Sequence, residues 1–158
     1  MSLTPRFLLA LFVLLLPLTV SSSSLHNLLH SHGLPAGLFP QSVKSFNLDP
    51  NGVLEVHLDQ PCLAKYENRV FFESVVRANL SFGELKGLEG LSQEELFLWL
   101  PVKDIIVKDP SSGLILFDIG LAHKQFSLSL FEDPPICRSQ GGLLKMDGRK
   151  NSGFQDQR

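Results

Sequence analysis

The chain has 158 residues, a formal net charge of −2 and no basic stripe. That excludes a nucleic-acid binder or an anionic-membrane binder that works by charge alone. Twelve Phe stand against one Tyr and one Trp, which favours interiors and apolar contacts over polar surface recognition.

Residues 1–24 (MSLTPRFLLALFVLLLPLTVSSSS) begin with one basic residue, Arg6, continue with an apolar run over 7–16, and end in small polar residues. This is the layout of a secretory signal peptide. Pro17 breaks the run and no stop-transfer stretch follows, so no transmembrane span is expected after cleavage. The expected location is the secretory pathway, as an extracellular or endomembrane-lumen protein. Such a compartment is oxidising, and the chain has two cysteines, Cys62 and Cys137. An even count there points to a disulfide closing a loop of about 75 residues, with two separate thiols or pairing between chains as alternatives.

Residues 25–39 open with a helical pattern, in which Leu25, Leu28, Leu29 and His32 share a face. Ser24 is expected to cap the helix, Gly33 to stop it and Pro35 to prevent its continuation. From Val43 the period changes to two. Two strands, 43–48 and 53–58, flank Asp49-Pro50-Asn51-Gly52, a tight turn. Residues 62–67 follow, with a turn at Asn68.

A strand is expected over 69–78 and another over 79–86, with Gly83 as a bulge and Leu80, Phe82 and Leu85 buried. Gly87 to Gly90 is read as a break. Residues 91–100 are ambiguous. Ser92 and Glu95 have capping-box spacing, yet the apolar run from Leu96 to Leu100 fits a buried strand, which Pro101 and the extended 102–108 favour. Strands are expected over 114–120 and 124–131, the latter with Phe126, Leu128 and Leu130 on one face.

Residues 138–158 are polar, Gly-rich and aperiodic, and read as a disordered tail. The domain organisation is thus a signal peptide (1–24), one β-rich domain (25–137) and a tail. The fold class is all-β and mainly antiparallel: a single barrel-like or strongly twisted sheet of about seven strands with a short N-terminal helix.

No constellation here specifies a chemistry. His26 and His30 are four apart and a helix would stack them, but no acid or thiol nearby completes a metal set. His57 and His123 could pair with Asp59, Asp104, Asp118 or Ser127 as a hydrolase triad, yet no nucleophile elbow surrounds any serine. Glu94-Glu95 and Glu132-Asp133 read as solvated loop edges rather than glycosidase acids. No catalytic residue, metal or cofactor is assigned. Asn79-Leu80-Ser81 is a glycosylation acceptor. Phe71, Phe72, Phe82, Phe117 and Phe126, with the apolar run at 95–100, form either an ordinary core or a cavity for a lipid-like ligand.

The segments 32–40 (HGLPAGLFP), 97–102 (FLWLPV), 109–120 (DPSSGLILFDIG) and 124–135 (KQFSLSLFEDPP) resemble, in order and spacing, the plant family called domain of unknown function 538. The resemblance spans residues 28–137. It implies a compact antiparallel β structure with an N-terminal helix, likened to bactericidal/permeability-increasing lipid-binding domains. Chlorophyll hydrolysis and roles in stress, trichome and growth control have been suggested for the family. It carries no agreed catalytic residues. The leading expectation is a non-catalytic protein binding an amphiphilic lipid or pigment; the alternatives are an ester hydrolase and a stress or growth interaction module.

Overall fold

The computed structural model describes residues 22–138. The leader reading of 1–24, apart from its last three residues, and the tail beyond Arg138 lie outside them.

Helix α1 spans Ser22–Ser31. It begins before Ser24, which lies inside it rather than capping it. Its face buries Leu25 and Leu29 completely and tucks in His26. The stop falls at Gly33: with φ +73, it lets its own amide reach the His30 carbonyl (3.0 Å) while Leu34 N reaches Leu29 (2.9 Å). Those two bonds satisfy carbonyls that a helix end leaves bare.

Nine strands follow: β1 Val43–Leu48, β2 Val53–Leu58, β3 Cys62–Lys65, β4 Arg69–Ser81, β5 Glu84–Glu95, β6 Leu98–Pro101, β7 Asp104–Ile106, β8 Leu114–Asp118 and β9 His123–Ser127. They form one antiparallel sheet in the order β1-β2-β4-β5-β7-β8-β9, with β3 added to β4 and β6 to β5. The sheet is twisted and open, not closed into a barrel.

The long β4–β5 hairpin is its spine. β4 pairs β2 through Val75 to Asn79 and β3 through Arg69 to Phe72. Likewise β5 pairs β7 at Glu84 and Leu85, and β6 from Ser92 to Glu95. The spine therefore has two ends. At one, the Phe82-Gly83 turn docks on the helix: Gly83 N donates to His32 O (2.6 Å) and the Phe82 ring lies over Gly33. At the other, the β3–β4 and β5–β6 turns stand side by side.

Period two places Val70, Phe72, Val76, Ala78 and Leu80 of β4 inside. They meet Leu54 and Val56 of β2, Leu85, Leu88 and Leu91 of β5, and Ile105, Ile115, Phe117 and Phe126 further along. Phe117, Phe126 and Phe131 pack on one another with centroids 5.3–6.2 Å apart. Of the five Phe singled out from sequence, Phe72, Phe117 and Phe126 are core, Phe71 is half-buried and Phe82 is exposed.

Several expectations are corrected. The break at Gly87 to Gly90 does not occur: β5 runs through both glycines beside β4, and the register shifts on either side of the Arg77–Glu89 pair. Gly83 forms a turn, not a bulge, and residues 79–81 belong to β4. The strand expected over 124–131 ends at Ser127, where the serine caps a 3-10 turn, Leu128–Phe131, by accepting from Ser129 N. The C-terminal segment then crosses back. Gln41 N donates to Pro135 O (2.9 Å), Arg138 N donates to Leu63 O (2.7 Å), and Cys62 and Cys137 form a disulfide with Cα atoms 5.3 Å apart. Among the described residues no helix is long and apolar enough to cross a membrane.

Candidate functional site

The histidines do not assemble into one centre. His26 Nε2 donates to the Phe39 carbonyl (3.3 Å), and burial holds its pKa below the ordinary value. His32 bonds the Leu28 carbonyl through Nδ1 (3.0 Å), and His30 faces solvent. His57 meets Glu55 (2.8 Å), whose other oxygen meets Arg77 (3.0 Å), on the outer face of the sheet. His123 lies 3.7 Å from Asp118 across the β8–β9 hairpin. Ser127 bonds Ser129 at the far end of β9, Asp104 accepts from Gly87 N, and Asp59 lies 4.0 Å from Lys44. Among the described residues no serine joins either His–carboxylate pair, so these contacts do not build a hydrolase triad.

Glu94 and Glu95 are not a solvated edge. Arg69 donates Nε and an Nη to the two oxygens of Glu94 (2.7 and 2.6 Å), a bidentate pair. Hydrogen bonding from Arg69 holds the Glu94 carboxyl below its ordinary range. Glu95 accepts from Asn68 and from the buried Gln93 (both 2.6 Å) and lies 3.4 Å from Lys124. Glu132 and Asp133 are exposed.

These bonds brace the β5–β6 turn. Glu94 pairs with Trp99 and Glu95 with Leu98, which leaves only Leu96 and Phe97 to turn the chain. The Arg69 guanidinium sits 5.6 Å from the Trp99 ring centroid, and Phe71 meets Trp99 edge-on at 6.4 Å. The base of the hairpin is thus stacked and ion-paired.

Its tip is the reverse. The run expected to be a buried strand is split, and its apolar residues face water: Leu96 is 86% exposed, Phe97 93% and Leu98 61%. Leu96 and Phe97 both take left-handed backbone, with φ of 50° and 71°. A two-residue hairpin turn with positive φ at both centres is normally supplied by Asn and Gly. For other residues this costs roughly 1–2 kcal/mol each. The apolar run itself carries no signal of the turn, since residues 96–100 contain no Asn, Gly or Pro.

Between this tip and the β3–β4 turn lies an open cleft of 460 Å³. Leu96 and Phe97 form its apolar side. Lys65, Glu67, Asn68 and the Arg69–Glu94 pair form its polar side. Acids and bases balance around it, so the rim is close to neutral. No curated protein or solved structure matches the chain. Residues 25–132 match the family model described as protein of unknown function, DUF538, and the chain belongs to that family.

Proposed function

We propose that this protein is a non-catalytic secretory-pathway protein that binds amphiphilic lipid at the surface of a bilayer, by lowering the Leu96-Phe97-Leu98 tip into it. The observation that carries this reading is the tip itself: three large apolar side chains held in water by a strained turn on a braced stem. Large apolar groups exposed together ordinarily mark a contact surface.

The shape favours a bilayer over a bound protein helix or strand. The tip is convex, so it enters a soft apolar medium more readily than it encloses a ligand. Full burial of a side chain of this size contributes roughly 1.5–3 kcal/mol, so three support reversible attachment. Trp99 lies at the base beside Arg69, where an amphipathic ring suits the headgroup level. The balanced rim suits neutral, zwitterionic headgroups. The disulfide fits an oxidising compartment, in agreement with the leader-like first residues.

The test is flotation of the disulfide-bonded protein with phosphatidylcholine vesicles. Trp99 is the only tryptophan, so its emission reports directly on the stem. The expected result is co-flotation with a blue shift of Trp99, both lost in Leu96→Asn/Phe97→Gly while the circular dichroism spectrum is kept. Wild-type protein that stays with the bulk solution, or a double variant that floats equally well, overturns the reading. Tip-dependent capture of a protein in place of vesicles would reassign the occupant.

A further inference from the structure

The acceptor motif Asn79-Leu80-Ser81 has no part in the tip. Along β4, Val76, Ala78 and Leu80 are buried, while Val75, Arg77, Asn79 and Ser81 are exposed. Asn79 therefore stands on the outer face of the sheet, opposite Val53 of β2 and Lys86 of β5. A position flanked by strands on both sides is ordinarily crowded by its cross-strand neighbours. Here the next residue of β5 is Gly87. A Cβ placed there would stand 3.5 Å from Asn79 Nδ2, the atom to which an N-linked sugar is bonded. Without it, Asn79 opens on a shallow depression of 200 Å³ shared with Val53, Arg77, Gly87 and Glu89.

Position along the spine matters as well. Asn79 is ten residues from Arg69, a separation of roughly 30 Å along a strand. The tip is braced at the Arg69 end. A sugar on Asn79 would project from the outer face at the other end, clear of any surface the tip touches.

We infer that Asn79 carries an N-linked glycan, placed at the end of the β4–β5 spine remote from the apolar tip. In the transfer, Asn79 Nδ2 forms a bond to the anomeric carbon of an oligosaccharide held as a lipid-linked pyrophosphate. The amide gives up one proton and the lipid pyrophosphate leaves. The reaction acts on the unfolded chain as it enters the secretory lumen, so strand pairing does not block it, and the folded sheet then leaves room for the product.

The experiment is secretion of the full chain from a eukaryotic host, followed by intact mass and peptide mapping before and after an amidase that removes N-glycans. The expected result is a mass loss on treatment, with the site converted to aspartate, and no sugar on Asn79→Gln or Ser81→Ala. Both changes lie on exposed positions, and either one yields the answer if the other is poorly secreted. Secreted protein with unmodified Asn79 overturns the assignment. Mass reads the sugar whether or not vesicles are bound, so this result is independent of the bilayer reading. For protein that floats, removal of the sugar should leave affinity within about twofold, and a gain of tenfold or more would overturn the remote placement.

Discussion

Two hairpin turns in this sheet solve the same geometric problem in opposite ways. Between β1 and β2 the chain turns through Asp49-Pro50-Asn51-Gly52. Asp49 Oδ1 accepts from Asn51 N (2.8 Å) and Val53 N (2.9 Å), and Gly52 takes φ +93, which costs a glycine nothing. Between β5 and β6 the same reversal falls on Leu96 and Phe97, where each left-handed residue is unfavourable and each side chain lies in water. The first turn is built from residues that prefer to turn. The second is imposed by its stem: the Arg69–Glu94 pair, the contacts of Arg69 and Phe71 with Trp99 and the Asn68–Glu95 bond tie β5 and β6 to β4 and the turn before it. The comparison teaches that stability has been given up at one hairpin and not at the other, and this is the observation on which the proposed contact surface rests.

The comparison can be broken most directly at its strained member. Leu96→Asn/Phe97→Gly should stabilise the fold by about 2 kcal/mol while vesicle binding is lost. Denaturant midpoints measured beside flotation check both halves; a destabilised variant would mean that the tip is packing, not strain. The converse change, Gly52→Leu, puts a branched side chain where φ is positive and a Cβ would approach Leu80 O at 3.4 Å. It should lower stability by about 1 kcal/mol and leave binding untouched. Equal loss of binding would show that any weakening of the sheet, not the tip in particular, governs attachment.

The smallest effect lies away from both turns. His26 has its pKa lowered in the fold, chiefly by desolvation, from an ordinary 6.5. A lowered value means that the unfolded chain takes up the proton first. The stability His26 contributes is therefore complete above pH 6.5 and declines as pH falls below it, toward the folded-state value. Thermal melts over about pH 7.5 to 5.5 should fall further for the wild type than for His26→Gln, whose amide can still donate to Phe39 O. Parallel curves would show that His26 does not carry this dependence. Vesicle binding should follow neither curve, since the helix docks at the end of the spine opposite the tip.

Much of the sheet was legible because its rules are local. The alternation in β2 and β4 and the Asn51-Gly52 turn depend on neighbours within a few residues. Gly33 ends α1 for the same kind of reason. Gly87 and Gly90 mark the places where the β4–β5 register shifts, each with positive φ, yet they do not end the strand, because β4 lies alongside on both sides of them. Among the site residues, Glu94-Glu95 has the sequence pattern of solvated charge, since Arg69, Asn68 and Lys124 are too far away in sequence to suggest themselves as partners.

What the order of residues settled, then, was the antiparallel β class, the short N-terminal helix, the first hairpin and the family, all of which follow from short-range periodicity, turn chemistry and motif spacing. Tertiary structure alone decided that β3 and β6 join the sheet as extra strands, that Cys62 and Cys137 lie close enough to bond, and that an apolar run suited to a buried strand stands in water instead. A continuous apolar segment carries no record of which side will be covered. That depends on partners distant in the chain, and here the pairing of β5 with β6 and the clamp from Arg69 leave Leu96 and Phe97 beyond the end of the core, where no other element among the described residues covers them.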